Sequence, residues 1–204
     1  MRVFWDVDTQ VDFMSPDGKL YVPGAETIIP NLQRLTDYAH ANRITIIATA
    51  DDHVVEHEEI SDVPDFQDTF PPHCMRGTPG QRRITETALS NPLVIAPDDA
   101  LPDVAAHQGD ILILKHWFDV FTNPHVSAVV NALGISEIVL YGVALEVCDR
   151  YAVEGLREYH PEVAITVVSD AVKALDADAG DALLRQWRKE GVVLTRTELV
   201  VDDR

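Results

Sequence analysis

The sequence predicts a three-layer α/β/α fold, a doubly wound parallel sheet of about six strands with helices on both faces. Three observations predict it. Short β-branched runs recur along the chain, most of them are apolar on both faces, and segments with helical spacing lie between several of them. Val3–Val7 is the first strand-like run, and Ala25–Ala41 follows with helical spacing before a second run at Ile44–Ala48. Leu93–Ala96 and Ile111–Leu114 are the next two strand-like runs. His125–Leu133 reads as a helix, because Asn123 can cap it, Pro124 suits a first position where a missing N–H costs nothing, and Gly134 can end it. Ile138–Tyr141, the helical Asp149–Tyr159, Val163–Val168, the helical Ala177–Lys189 and Val192–Leu194 complete the alternation. The exception is Asp51 to about Arg83, rich in His, Asp, Glu and Pro and without a sustained period. Loops of that length are uncommon unless they do something.

Length and charge narrow the functions open to such a chain. A chain of 204 residues can bury one substantial core, and no repeat, low-complexity tract or linker divides it, so a single domain over 1–204 is expected. No stretch approaches the roughly 18 apolar residues of a membrane span, and Met1 leads straight into an apolar strand without the pattern of a signal peptide. A cytoplasmic location is the expectation. With 16 basic against 34 acidic residues the net charge is −18, which repels phosphate backbones and anionic lipid, so neither nucleic acid nor membrane is expected as a partner. Cys74 and Cys148 form no C-x-x-C pair and indicate neither a disulfide framework nor a cysteine zinc site. A reactive thiol remains open.

In an open parallel sheet ligands bind beyond the carboxyl ends of the strands. Asp8, Asp51, Lys115 and Cys148 all fall at or just beyond such ends. Each alone has a plain structural explanation, as a turn aspartate, a loop carboxylate, a surface lysine or a small core thiol. Their joint placement favours a site. Cys148 precedes a helical segment whose free N–H groups favour a thiolate, Lys115 would stabilise it further, and Asp8 could take a proton and return it to a departing amine. In the long loop Asp51 and His53 share one side of an extended segment, with His57 and His73 beyond. A carboxylate with imidazoles suits zinc, iron or manganese, while a solvated acidic loop would look the same in sequence.

The motifs V-D-T-Q-V-D-F at 7–13, A-D-D-H at 50–53, P-P-H-C-M-R-G-T-P-G at 71–80, Lys115, and G-V-A-L-E-V-C at 142–148 resemble the nicotinamidase branch of the isochorismatase-like cysteine hydrolases. The resemblance covers nearly the whole chain. It implies that Asp8, Lys115 and Cys148 are catalytic, with Cys148 forming an acyl-enzyme. It also implies a cis peptide before Ala144, whose N–H together with that of Cys148 would face the oxyanion. Asp51, His53 and His73 match metal ligands, zinc first and iron or manganese as alternatives, whose ion holds a pyridine nitrogen. Whether His57 or Glu59 adds a fourth ligand is left open. Phe13 and Phe70 match the aromatic walls of the substrate pocket, and Trp117, Phe118 or Phe121 could supply another face. Leu145-Glu146-Val147 departs from the branch, in which a threonine, an aspartate and a more polar or aromatic residue are usual.

The implied reaction is hydrolysis of nicotinamide to nicotinate and ammonia, with a small-molecule amide as the partner and a homo-oligomer as the assembly. A related cysteine hydrolase acting on a carbamoyl or ureido compound is the alternative, and a non-catalytic metal- or partner-binding protein on the same fold is a more distant one. Isochorismatase proper lacks the nucleophilic cysteine that Cys148 supplies. A flavodoxin-like nucleotide binder would need a glycine-rich phosphate loop after the first strand, and none is present.

Overall fold

A computed structural model describes residues 1–202. Seven strands, all parallel, make one sheet: β1 (Arg2–Val7), β2 (Ile46–Asp51), β3 (Leu93–Ile95), β4 (Ile111–Lys115), β5 (Glu137–Val143), β6 (Ala164–Lys173) and β7 (Val193–Thr195). Their order is β3-β4-β2-β1-β5-β6-β7, one strand more than the expected six, and each apolar run read from the sequence supplies one of them. From β1 the chain first builds outward through β2 and then returns to β5 on the other flank. That reversal opens a crevice above the ends of β1 and β5, where ligands of doubly wound sheets bind.

Among the described residues six α-helices accompany the strands: α1 (Val11–Met14), α2 (Ile29–Ala41), α3 (Val126–Ala132), α4 (Arg150–Tyr159), α5 (Ala177–Lys189) and α6 (Thr197–Val201). Strand side chains alternate between two cores. Val3, Trp5 and Val7 of β1 join Ile113, Leu140 and Trp187 on one face, whereas Phe4 packs with Leu32, Leu35, Val139 and Tyr141 on the other. No helix of the described residues is long and apolar enough to cross a membrane.

Several boundaries differ from expectation for identifiable reasons. The second strand starts at Ile46 because Arg43 takes a left-handed φ of 56° and the Ile44 N–H is bonded to the Ala39 carbonyl at 2.8 Å. It continues to Asp51 because β4 pairs with it that far. The segment Ala25–Ala41 divides into a 3₁₀ turn at Ala25–Ile28 and then α2, whose Pro30 suits a first turn. Asn123 does not cap α3. Its Oδ1 accepts from the His125 N–H at 2.9 Å, one turn position too early, and its Nδ2 donates to the Ile95 and Leu114 carbonyls at 3.2 and 2.8 Å, tying the loop to the sheet. Asp149 lies not in α4 but at the end of a π-helical turn over Leu145–Asp149, in which its N–H reaches back to the Ala144 carbonyl at 3.2 Å. Single π turns inside helical segments often mark functional positions.

Candidate active site

Parallel pairing sets Asp51 opposite Lys115 at the ends of β2 and β4. Asp8 follows β1 with φ 48°, a left-handed conformation that aspartate tolerates better than most residues. Cys148 comes from the turn after β5. The fold brings Asp8, Lys115 and Cys148 together: the fully buried Lys115 Nζ lies 3.0 Å from Asp8 Oδ2 and 3.7 Å from Cys148 Sγ, and it also contacts Asp51 Oδ1. Thr49 donates its hydroxyl to Asp8 Oδ1 at 2.6 Å and fixes that carboxylate from below.

Burial works against the charge of Lys115, yet Asp51 and Asp8 outweigh it and hold the ammonium well above its ordinary pKa. Asp51 is buried too, but Lys115, His53 and His73 hold it well below the carboxylate range. Asp8 is raised, burial being stronger than the opposing pull of Lys115. Burial also pushes the Cys148 thiol well above its ordinary value, with Lys115 opposing. Burial thus opposes the helix-end stabilisation of a thiolate that the sequence suggests, since the sulfur sits in a buried turn under the pocket. Asp8 is the carboxylate beside both Lys115 and the thiol.

The Val143–Ala144 peptide is cis, as the resemblance implies. The Ala144 carbonyl is bonded to the N–H groups of Val147 and Asp149 at 3.0 and 3.2 Å.

Behind the triad, Asp51, His53, Glu59 and His73 turn one ligand atom each to a common point, all within 4.8 Å of one another and all four residues buried. His73 Nε2 lies 3.5 Å from both Asp51 Oδ2 and Glu59 Oε1, and His53 Nε2 lies 3.7 and 3.9 Å from Asp51 Oδ2 and Glu59 Oε2. Those gaps are long for hydrogen bonds. They approach the ~3.4 Å edge of a tetrahedron of N and O atoms around an ion at ~2.1 Å. His53 Nε2, His73 Nε2 and Glu59 Oε2 have no hydrogen-bond partner, and burial with the facing Asp51 charge pushes Glu59 up to about 8. A divalent cation would satisfy all of these groups at once, so the donor set fits a metal.

Glu59, not His57, completes the set. His57 stands behind His53, with the two Nδ1 atoms 3.4 Å apart, and its ring lies against His116 at 4.0 Å between centroids. Sequence reasoning left this choice open because it depends on how the loop closes. Asp12 closes it, accepting from the Cys74 N–H at 2.7 Å and the Lys19 N–H at 3.0 Å. Gly80 makes room, since a Cβ there would fall 2.2 Å from the Asp12 carboxylate. His73 is oriented by the Pro71 carbonyl, 2.8 Å from its Nδ1, which leaves Nε2 facing the cluster. Gln10, in the D-T-Q string but not picked out as functional, pins the Asp51 backbone from both sides, accepting from its N–H at 2.7 Å and donating to its carbonyl at 2.9 Å.

The pocket above Cys148 is a small cavity of about 70 Å³. Phe13 and Phe70 both line it, together with Phe118 and Tyr21. Trp117 backs Phe118 at 4.7 Å, and Phe121 packs instead on Tyr159, 5.1 Å away. Leu20, Val147 and Leu175 make the outer wall, and no lysine or arginine lines the cavity among the described residues.

The isochorismatase domain family model matches residues 96–198. The nicotinamidase/pyrazinamidase of Mycobacterium tuberculosis is 28% identical over 201 residues, which cover 95% of this chain and 98% of that protein. Among solved structures, a pyrazinamidase of Pyrococcus horikoshii in complex with zinc superposes with a TM-score of 0.75 at 22% identity, over 96% of this chain and 98% of the other. An N-carbamoylsarcosine amidase from Thermoplasma acidophilum does so with a TM-score of 0.72 at 21% identity, over 97% and 96%.

Proposed function

Because this chain belongs to the isochorismatase family, in its nicotinamidase branch, and is an amide-hydrolysing enzyme, we propose that it hydrolyses nicotinamide to nicotinate and ammonia through a thioester on Cys148. The observation that carries this reading is the Cys148 thiol lying 3.7 Å from Lys115 at the floor of a pocket walled by Phe13, Phe70 and Phe118. A flat ring stacks among those faces, with its amide carbon over the sulfur.

Sγ attacks the carbonyl carbon while the thiol proton passes to Asp8. The charge that develops on oxygen forms beside the N–H groups of Ala144 and Cys148. Asp8 returns the proton to nitrogen as the carbon–nitrogen bond breaks, and ammonia leaves. Water then adds to the thioester with Asp8 again taking a proton, the carboxylate product departs, and the thiol is restored. Lys115 keeps its charge throughout and offsets that of Asp8 and Asp51. Asp51, His53, Glu59 and His73 would hold a divalent ion, zinc first with iron or manganese as alternatives, and when bound such an ion supplies a Lewis-acidic seat for a ring nitrogen.

The rival substrate class is a carbamoyl compound such as N-carbamoylsarcosine, which carries a carboxylate. That anion would meet an apolar wall, with no lysine or arginine lining the cavity among the described residues, so the uncharged ring amide is favoured. Ammonia release from nicotinamide by the purified protein tests the proposal. Turnover is expected to fall at least ~10⁴-fold in Cys148→Ala with the thermal midpoint held, and chelation is expected to raise KM. No release from nicotinamide, with release from a carbamoyl compound in the same panel, would transfer the assignment to the rival class.

A further inference from the structure

Glu146 lies between the cis peptide and Cys148, yet its carboxylate faces neither the thiol nor the metal cluster. Its Oε2 accepts from the Leu175 N–H and its Oε1 from the Asp176 N–H, both at 2.8 Å. Those two consecutive amides belong to the short link between β6, which ends at Lys173, and α5, which begins at Ala177. Leu175 lines the pocket together with Val147 and Cys148 although it is 49% exposed, so packing alone holds it loosely.

Two further contacts join the same pieces. Asp176 caps α5 by accepting from the Ala179 N–H at 2.8 Å. Gly180, one turn on, lets α5 approach so closely that a Cβ would fall 2.5 Å from Ala174 Cβ and 3.2 Å from Leu145 Cδ2. The turn that carries the nucleophile and the link that carries the outer wall are thus docked through adjacent residues, Leu145 by contact and Glu146 by a two-pronged carboxylate.

We propose that Glu146 is a positioning residue that seats Leu175 as the outer apolar wall of the pocket, and so sets the affinity for an uncharged ring amide without taking part in the chemistry. The proposal rests on the ring-amide reading of the site. Glu146 acts through Leu175 alone: releasing the link lets water into the mouth and loosens the ring, while Lys115 at the end of β4, Asp8 just after β1 and Cys148 in the turn after β5 keep their places.

The test is a kinetic double-mutant cycle on nicotinamide with Glu146→Ala, Leu175→Ala and the pair, and with Glu146→Gln, which keeps one acceptor oxygen, as the variant closest to native. Each alanine variant is expected to raise KM on the order of tenfold with kcat within about twofold, the glutamine variant less, and the pair no more than either single change. KM increases that multiply in the pair, or a fall in kcat at constant KM, would overturn the proposal. Hydrogen exchange gives a readout that needs no substrate: the Leu175 and Asp176 amides are expected to exchange about tenfold faster in Glu146→Ala. Unchanged exchange there would overturn the clamp. A wild-type protein that releases no ammonia from nicotinamide would instead remove the ring-amide reading, and the exchange result would still decide whether the clamp exists.

Discussion

Asp51 and Lys115 end two strands that pair in register from Ile47 opposite Ile111 to Asp51 opposite Lys115. His53, Glu59 and His73 stand on a loop whose backbone is held by turns and isolated bridges, such as those of His53 with Met75 and Ile60 with Phe70, rather than by a ladder. The first group is positioned by a hydrogen-bonded ladder that is indifferent to its side chains. The second depends on single polar side chains: Asp12 holding the Cys74 and Lys19 amides, Arg76 clamping Asp52 at 2.5 to 3.0 Å, and Arg83 joining Asp6 and Thr9 at the loop's far end. The surroundings of Lys115 and Asp51 are therefore built into the sheet, whereas His53, Glu59 and His73 are brought together by loop contacts that include single polar side chains.

Charge, not backbone, is the weak point of the sheet-borne half. Replacing Lys115 by methionine leaves Asp8 and Asp51 buried and facing each other, and is expected to cost about 3–5 kcal/mol in urea denaturation. An unchanged midpoint would mean that the ladder alone carries this end of the site. On the loop side, Glu59→Gln is expected to weaken metal binding at least ~10- to 100-fold in a direct titration, and His57→Ala by much less. The reverse ranking would place His57 among the ligands. Asp12→Asn, which weakens the acceptor for the Cys74 amide of the loop and the Lys19 amide outside it, is expected to cost about 1–3 kcal/mol and to loosen metal binding while leaving the reactivity of Cys148 close to native. Equal loss in both would break the distinction between the two halves.

A separate effect, one of pH, is expected at Asp149. It is fully buried, neither carboxylate oxygen has a hydrogen-bond partner, and burial followed by repulsion from Asp8 raises it well above the ordinary value. The folded protein then keeps a proton that the unfolded chain releases. Stability from this group is complete below the unfolded pKa of ~3.9 and declines as pH rises from there toward the folded value. Asp149→Asn removes the decline, so its denaturation midpoint is expected to gain on wild type between about pH 5 and about pH 8. A constant gap would show that Asp149 does not titrate differently in the two states.

The same division decides what could be read from the sequence. Apolar runs and the polar residues that end them were enough to locate β1, β4 and β5, and with them Asp8, Lys115 and Cys148, because a strand end is a local event. Asp51 and His53 were legible for the same reason. Glu59 was not, since its approach to His53 and His73 depends on how residues 60–72 fold back, and that in turn on Asp12 and Gly80, far away in sequence. Phe118 could not be separated from Trp117 and Phe121 because all three follow the same strand and only the 3₁₀ turn at Val120–Thr122 determines which one faces the pocket. The burial that opposes a thiolate at Cys148 was not legible for a different cause: a helix end and a lysine are visible as sequence, whereas burial is a property of the finished fold.

Rapid quenching of the purified protein with nicotinamide, followed by intact-mass and peptide measurement, asks directly whether Cys148 carries the acyl group. A nicotinoyl thioester on the Cys148 peptide, present in wild type and absent in Cys148→Ala, is the expected result. Turnover without an adduct, undiminished in Cys148→Ala, would contradict it.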